Sequence, residues 1–342
     1  MENLLFALNA ILPIVLLMVF GYILKKKEFL NEGFVKIANR IVFKIALPVS
    51  LFLNIYNIED ISAINWSVVL YSAIIILSLF FISIVLVMLF VKRNDQKGVI
   101  IQDFVRSNYA IIGTPLILFM ANGNPQASAV GSVVMLAVIP LTNVLAIIGS
   151  MMFIKEEGQK KVSVVGILKQ IATNPLIIGI LSGFVFVLVR QFILPHDALG
   201  RPVFTLKTSD YTKFIFTALS QVGSLATPLA LIVLGADFEF SEVKSMLKEI
   251  TIGTMGRVVI APVLGLGLSI ILVKNGIVNF GPNEYPALIA LFCAPAAVSS
   301  VAMSIEMKND GRLAAQLVVW TTILSAVSIF VAIFVFKSLG YL

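Results

Sequence analysis

The polar residues of this chain that could do chemistry gather around two prolines set inside apolar runs. Asn108 precedes Pro115 by seven residues, with Tyr109, Gly113 and Thr114 between them. Much later, Ala294 and Pro295 are followed by Ser299 and Ser300. Proline removes a backbone donor and collides with the preceding turn, and glycine loosens the chain, so interruptions are expected near 113–115 and near 295. A half-helix starting at such a break presents unpaired N–H groups and the positive end of its dipole, which attract a carboxylate. The Asn108 amide can donate to one carboxylate oxygen. The chemistry on offer is binding of an anion, not bond-making. The blander alternatives stand beside it: Asn108 as a hydrogen bond between helices, and Ser299 and Ser300 bonded back to their own helix.

Pro48 and Pro228 repeat the pattern. Near them Ser50, Asn54, Gln221 and Thr227 are polar groups in apolar runs, and all six residues are read as lining a path or shaping a cavity wall. Pro48 and Pro228 lie 180 residues apart, as do Pro115 and Pro295, and Pro13 and Gly21 match Pro175 and Gly183 at an offset of 162. Interruptions at matching positions of two halves of a membrane chain point to the binding site of a secondary transporter.

The elements that must position these residues are membrane helices. The chain is 59% hydrophobic and 13% charged, against roughly 25% charged in a soluble domain. Its apolar runs are about 20 residues long, enough to cross a bilayer. Ten spans are predicted, near 4–24, 37–56, 66–91, 104–120, 128–154, 168–190, 213–236, 250–273, 285–305 and 312–336. The first is read as a retained helix and not a signal peptide. Nineteen of the 25 Lys and Arg residues fall on one side of this arrangement and six on the other, which makes the first side cytoplasmic and puts both termini outside. The predicted fold class is an all-α polytopic membrane protein of the plasma membrane. Its ten transmembrane helices form a 5+5 inverted-topology repeat with two broken, crossing helices. Residues 1–154 are the first repeat, 155–167 a cytoplasmic connection, and 168–342 the second repeat.

Several function classes fall away. A single cysteine, Cys293, and a single histidine, His196 in a polar loop, leave no metal site and no Ser–His pair within the bilayer. No cofactor, no enzyme activity and no nucleic-acid partner is expected, because the net charge of +7 is that of cytoplasmic loops. Asp103 and Glu306 fall near the predicted cytoplasmic ends of their spans. Lys44, Arg106, Asp237, Arg257 and Glu306 are read chiefly as interfacial residues or ion pairs, with a coupling switch among Glu306, Arg257 and Asp237 as the sharper alternative. With no acid expected beside the breaks, an anionic substrate is favoured over a cationic one.

At these residues the chain resembles the auxin efflux carrier family, which holds plant auxin exporters and bacterial malate and malonate carriers. The likeness is clearest in NRIVFKIALPVSLFLNI (39–55), NYAIIGTPL (108–116), Leu234-Gly235 and APAAVSSVAMSIEM (294–307). The resemblance implies broken crossing helices at spans four and nine. It implies a scaffold of helices 4–24, 37–56, 168–190 and 213–236, able to form a homodimer, past which the transport helices 66–154 and 250–336 slide in an elevator motion. It also implies an acidic residue at the position of Glu306. The expected function is transport of a small organic anion, such as malate, malonate or an auxin-like acid, with membrane lipid as the other partner. The competing readings are a sodium- or proton-coupled symporter of bile-acid-carrier-like architecture and a non-transporting receptor.

Overall fold

The computed structural model describes residues 2–57, 65–154, 172–173, 175–193, 209–236 and 246–342. Every element there is helical, apart from one isolated two-residue bridge. The helices are α1 (Glu2–Lys26), α2 (Glu32–Ile41), α3 (Leu47–Tyr56), α4 (Ser67–Phe90), α5 (Asn94–Val105), α6 (Thr114–Ala121), α7 (Pro125–Met151) and α8 (Pro175–Phe192). They continue with α9 (Lys213–Ser224), α10 (Ala226–Ala236), α11 (Leu247–Met255), α12 (Leu268–Lys274), α13 (Tyr285–Cys293), α14 (Ser299–Glu306) and α15 (Gly311–Ser338). Among the described residues six helical stretches are long and apolar enough to cross a membrane: 67–90, 125–151, 175–192, 213–236, 247–274 and 311–338. Asp237 of the expected switch lies outside the described residues.

The helices are turned to lipid. On α4 the exposed positions Leu70, Ile74, Phe81, Val85 and Met88 recur at helical spacing and are all apolar. The buried Ser72 and Ser83 face inward and bond back to the Val68 and Phe80 carbonyls, at 2.7 and 2.6 Å. A hydrocarbon surroundings demands this: backbone and hydroxyl donors must be satisfied within the protein.

Three prolines are preceded by widened turns, whereas Pro13 and Pro140 sit within α1 and α7. Leu47, Thr114 and Ala261 each donate five residues back, to the carbonyls of Val42, Tyr109 and Gly256. Each is followed directly by proline: Pro48, Pro115 and Pro262. A π-turn displaces the backbone that the proline ring would strike and removes the need for its missing N–H. The interruption expected at 113–115 is therefore absent, and the chain runs helically from Tyr109 to Ala121 through Gly113 and Pro115.

The break in this span lies instead at Arg106–Asn108, between α5 and the turn at Tyr109. The helix leading into this break, α5, starts at Asn94, ten residues before the expected start at 104. In the later span the break falls where expected. Ala294 is extended (φ −63°, ψ 146°), the conformation that a following proline imposes.

Two helix pairs approach backbone to backbone. Gly21 on α1 lies on the Ile232 carbonyl of α10, and Gly235 on α10 lies on the Met18 carbonyl of α1. Gly183 on α8 faces Ile55 and the Phe52 carbonyl of α3, where an added Cβ would sit 2.8 Å from the Ile55 Cβ. Small residues permit this approach in membrane helices. Gly235→Leu is expected to force α1 and α10 apart and to cost about 1–3 kcal/mol or more. A thermal unfolding curve unchanged from wild type would contradict the contact.

Candidate functional site

The two breaks face each other. Ser107 and Ala296 form an antiparallel bridge. The Asn108 N–H donates to the Pro295 carbonyl at 2.7 Å, and the Ala297 N–H donates to the Arg106 carbonyl at 2.9 Å. The Ala296 N–H finds the Thr321 hydroxyl on α15 at 3.1 Å. Backbone groups freed by one break are thus satisfied by the other and by α15, the condition under which a membrane helix tolerates interruption.

Four helix ends meet here: α5 and α13 terminate, and the segments beginning at Tyr109 and Ser299 start. The two C-terminal ends share one cation. Arg257, 2% exposed, donates from Nε to the Ala294 carbonyl at 2.7 Å and from Nη1 to the Phe104 carbonyl at 3.1 Å. Its Nη2 donates to the Leu291 carbonyl. The flat, forked guanidinium suits this role, and its charge complements the negative ends of two helix dipoles. The sequence-based reading of Arg257 as an interfacial residue does not hold. It is buried, and its partners are carbonyls.

Arg106 does something different. It too was expected at the interface, and it is buried at the break. Its Nη2 donates to the Ser299 hydroxyl at 2.9 Å, and Nη1 approaches the Ser300 hydroxyl at 3.5 Å and the Met303 sulfur at 3.3 Å. Those serines open α14, so a positive side chain and a positive helix end stand together. Among the described residues no carboxylate bonds to this guanidinium. Ser299 and Ser300 accept from Arg106. Ser299 is exposed while Ser300 is buried, so one edge of the cluster is open.

The expected site residues divide into two groups. Asn108, Ala294, Pro295, Ser299 and Ser300 meet at the break. Asn108 is buried, and its amide makes no capping bond to its own helix. The Ser107 hydroxyl beside it is buried without a partner. Thr114 belongs to a second place, a cleft of about 10 Å³ lined by Leu51 and Asn54 of α3, by Ile117 of α6, and by Ser128, Ser132 and neighbours of α7. Such a cleft has room for about one water and not for an organic acid. The Asn54 amide donates to the Ser132 hydroxyl at 3.4 Å, and the Thr114 hydroxyl is buried without a partner. Tyr109 is also turned towards α7, its hydroxyl on the Gly131 carbonyl at 3.1 Å.

Of the expected path residues, Ser50 packs against Gly223 of α9, and Gln221 is exposed on α9. Thr227 and Pro228 are half-buried near the start of α10, and Pro48 lies under Gly179 of α8. Glu306 is the last residue of α14.

Apolar lipid-facing helices, interrupted in the interior with polar and charged groups at the interruptions, define a membrane transport protein. The comparisons agree. The model of the family described as "Membrane transport protein" matches residues 6–333, and the chain belongs to this auxin efflux carrier-like family. It is similar to an uncharacterized transporter of Methanothermobacter thermautotrophicus, 24% identical over 327 residues, covering 94% of this chain and 95% of that one. It is also similar to an uncharacterized transporter of Methanocaldococcus jannaschii, 26% identical over 326 residues, covering 93% and 95%.

Proposed function

We propose that the protein is a secondary transporter for small organic anions, with the carboxylate held at the double break. The observation that carries this reading is Arg106: a buried cation aimed at the two serines that open α14, with no carboxylate bonded to it among the described residues. A substrate carboxylate would take its place among the guanidinium, the Ser299 and Ser300 hydroxyls and the Asn108 amide. Charge-assisted bonds of this kind are the strong ones.

In this reading ten spans form a 5+5 inverted repeat in the plasma membrane, with both termini outside. The glycine contacts support it. Gly21 and Gly183 differ by 162 and their partners Ile232 and Phe52 by 180, while Ile55 beside Gly183 corresponds by the same 180 to Gly235. The pair Pro115 and Pro295 does not contribute, because the bridged breaks are offset by 189 (Ser107 to Ala296). The tightly joined pairs α1–α10 and α3–α8 make the scaffold. With α2 and α9 they hold still, while the helices within 66–154 and 250–336 carry the site past them as an elevator.

The test is uptake by the purified protein in liposomes, with malate, malonate, succinate, lactate and indole-3-acetate supplied in turn. Saturable uptake of at least one acid is the expected result. Passive permeation alone for all five would count against the anion reading.

A further inference from the structure

Asp103 sits nine residues into α5, about 14 Å along its axis from Asn94, and is enclosed by protein. It is 2% exposed, and neither carboxylate oxygen has a hydrogen-bond partner. The ion pairs among the described residues join Arg93 to Asp95 and to Asp310, and Asp103 is in neither. Arg257, the cation whose charge bears on Asp103, reaches the carbonyl of the next residue, Phe104, and gives further donors to Leu291 and Ala294.

The elements around Asp103 do not supply what is missing. Gly253 of α11 lies directly against it, so that an added Cβ would stand 3.2 Å from Oδ2. The Thr254 hydroxyl on α11 and the Trp320 Nε1 on α15 are likewise buried without partners, and α5, α11 and α15 pack on one another. The charged residues on those elements are Lys248 and Glu249 at the start of α11, and on α15 Arg312 with the capping Asp310 at its start and Lys337 in its last turn. Arg257 lies in the turn after α11, Glu306 ends α14, and Asp95 and Lys97 open α5. A carboxylate at position 103 would be buried without a hydrogen bond and without a cation in ion-pair contact, Arg257 acting on it only through its field, whereas the neutral acid is far less costly to bury.

We propose that Asp103 carries a proton that is transported together with the anion. This rests on the anion reading above. Arg106 follows Asp103 by three residues, so an anion at Arg106 places a second negative charge near Asp103 and favours its protonated form. By reciprocity, the proton then favours the anion. Asp103 takes one proton from water on the side where the anion enters. On the other side its O–H bond breaks, the proton passes to water, and the anion leaves with it.

Two measurements test this. In liposomes with the membrane potential held at zero, an inward gradient of one pH unit should drive wild-type protein to accumulate malate about tenfold. An internal pH dye should report proton entry with the malate. Asp103→Asn should still exchange malate for malate, with no pH-driven accumulation; accumulation retained in Asp103→Asn overturns the proposal. Independently of any variant's activity, the infrared spectrum of wild-type protein at neutral pH should contain a protonated carboxyl C=O band. That band should be absent from Asp103→Asn and should persist to higher pH when malate is added. Absence of the band in wild type overturns the proposal even where malate transport is normal. A band that none of the five acids shifts also overturns the coupling; if the same acids are neither bound nor taken up, the failure lies in the anion reading.

Discussion

Arg257→Leu is expected to destroy the double break. The substitution removes the donors that satisfy the Phe104, Leu291 and Ala294 carbonyls. Each buried acceptor left unpaired costs about 1–3 kcal/mol, so the loss reaches about 3–5 kcal/mol or more, a large part of the stability of an ordinary domain. Arg257→Lys should recover little, because an ammonium on a single stem cannot reach three carbonyls on two helices as a planar fork does. The expected outcome for both variants is a large fall in unfolding temperature in detergent, or failure to yield monodisperse protein. A leucine variant that unfolds at the wild-type temperature would mean that the helix ends hold without the arginine.

The second large effect is expected at Arg106, and on binding more than on folding. Its partners are two hydroxyls and a thioether, which lose little when the guanidinium goes. Arg106→Gln keeps a donor of similar reach and removes the charge. Truncating one partner of a hydrogen-bonded charge pair costs about 2–5 kcal/mol of binding, at least about thirtyfold in affinity. The variant should fold, keep its unfolding temperature within a few degrees, and lose uptake at substrate concentrations that saturate wild type. Equal losses of stability and uptake would recast Arg106 as a second structural clamp.

These two residues also show where sequence reasoning succeeds and fails. The apolar runs placed most helices to within a few residues, because lipid exposure writes itself directly into composition. The break around Pro295 was legible too, since the residue before a proline is pushed out of the helix. Pro115 misled for a physical reason: a π-turn from Tyr109 to Gly113 accommodates the ring, and a turn of that kind leaves no composition signal. The real break at Arg106–Asn108 contains neither proline nor glycine. Its local signal is Ser107-Asn108, residues that favour helix caps over helix interiors, and tertiary bonds to Pro295 and Ala297 do the rest.

The polar first half of the same span explains the other misses. Gln96, Gln102 and Asp103 are buried, but hydropathy assigns them to the membrane surface and carries Arg106 there with them. Only three-dimensional packing shows that α5 is enclosed by α4, α7, α11 and α15. The expectation that no acid lies near the breaks fails for the same reason. Asn108 was singled out from its neighbours alone, while the meeting of its break with Pro295, and of Arg106 with Ser299 and Ser300, required the fold.

The central claim is that the double break holds a carboxylate through Arg106 and Asn108. The most direct measurement is the rise in unfolding temperature of purified protein with each of the five acids, for wild type, Arg106→Gln and Asn108→Ala side by side. The account predicts a concentration-dependent rise for wild type with at least one acid, abolished in Arg106→Gln and strongly reduced in Asn108→Ala. An equal rise in all three proteins would contradict it and place the anion elsewhere.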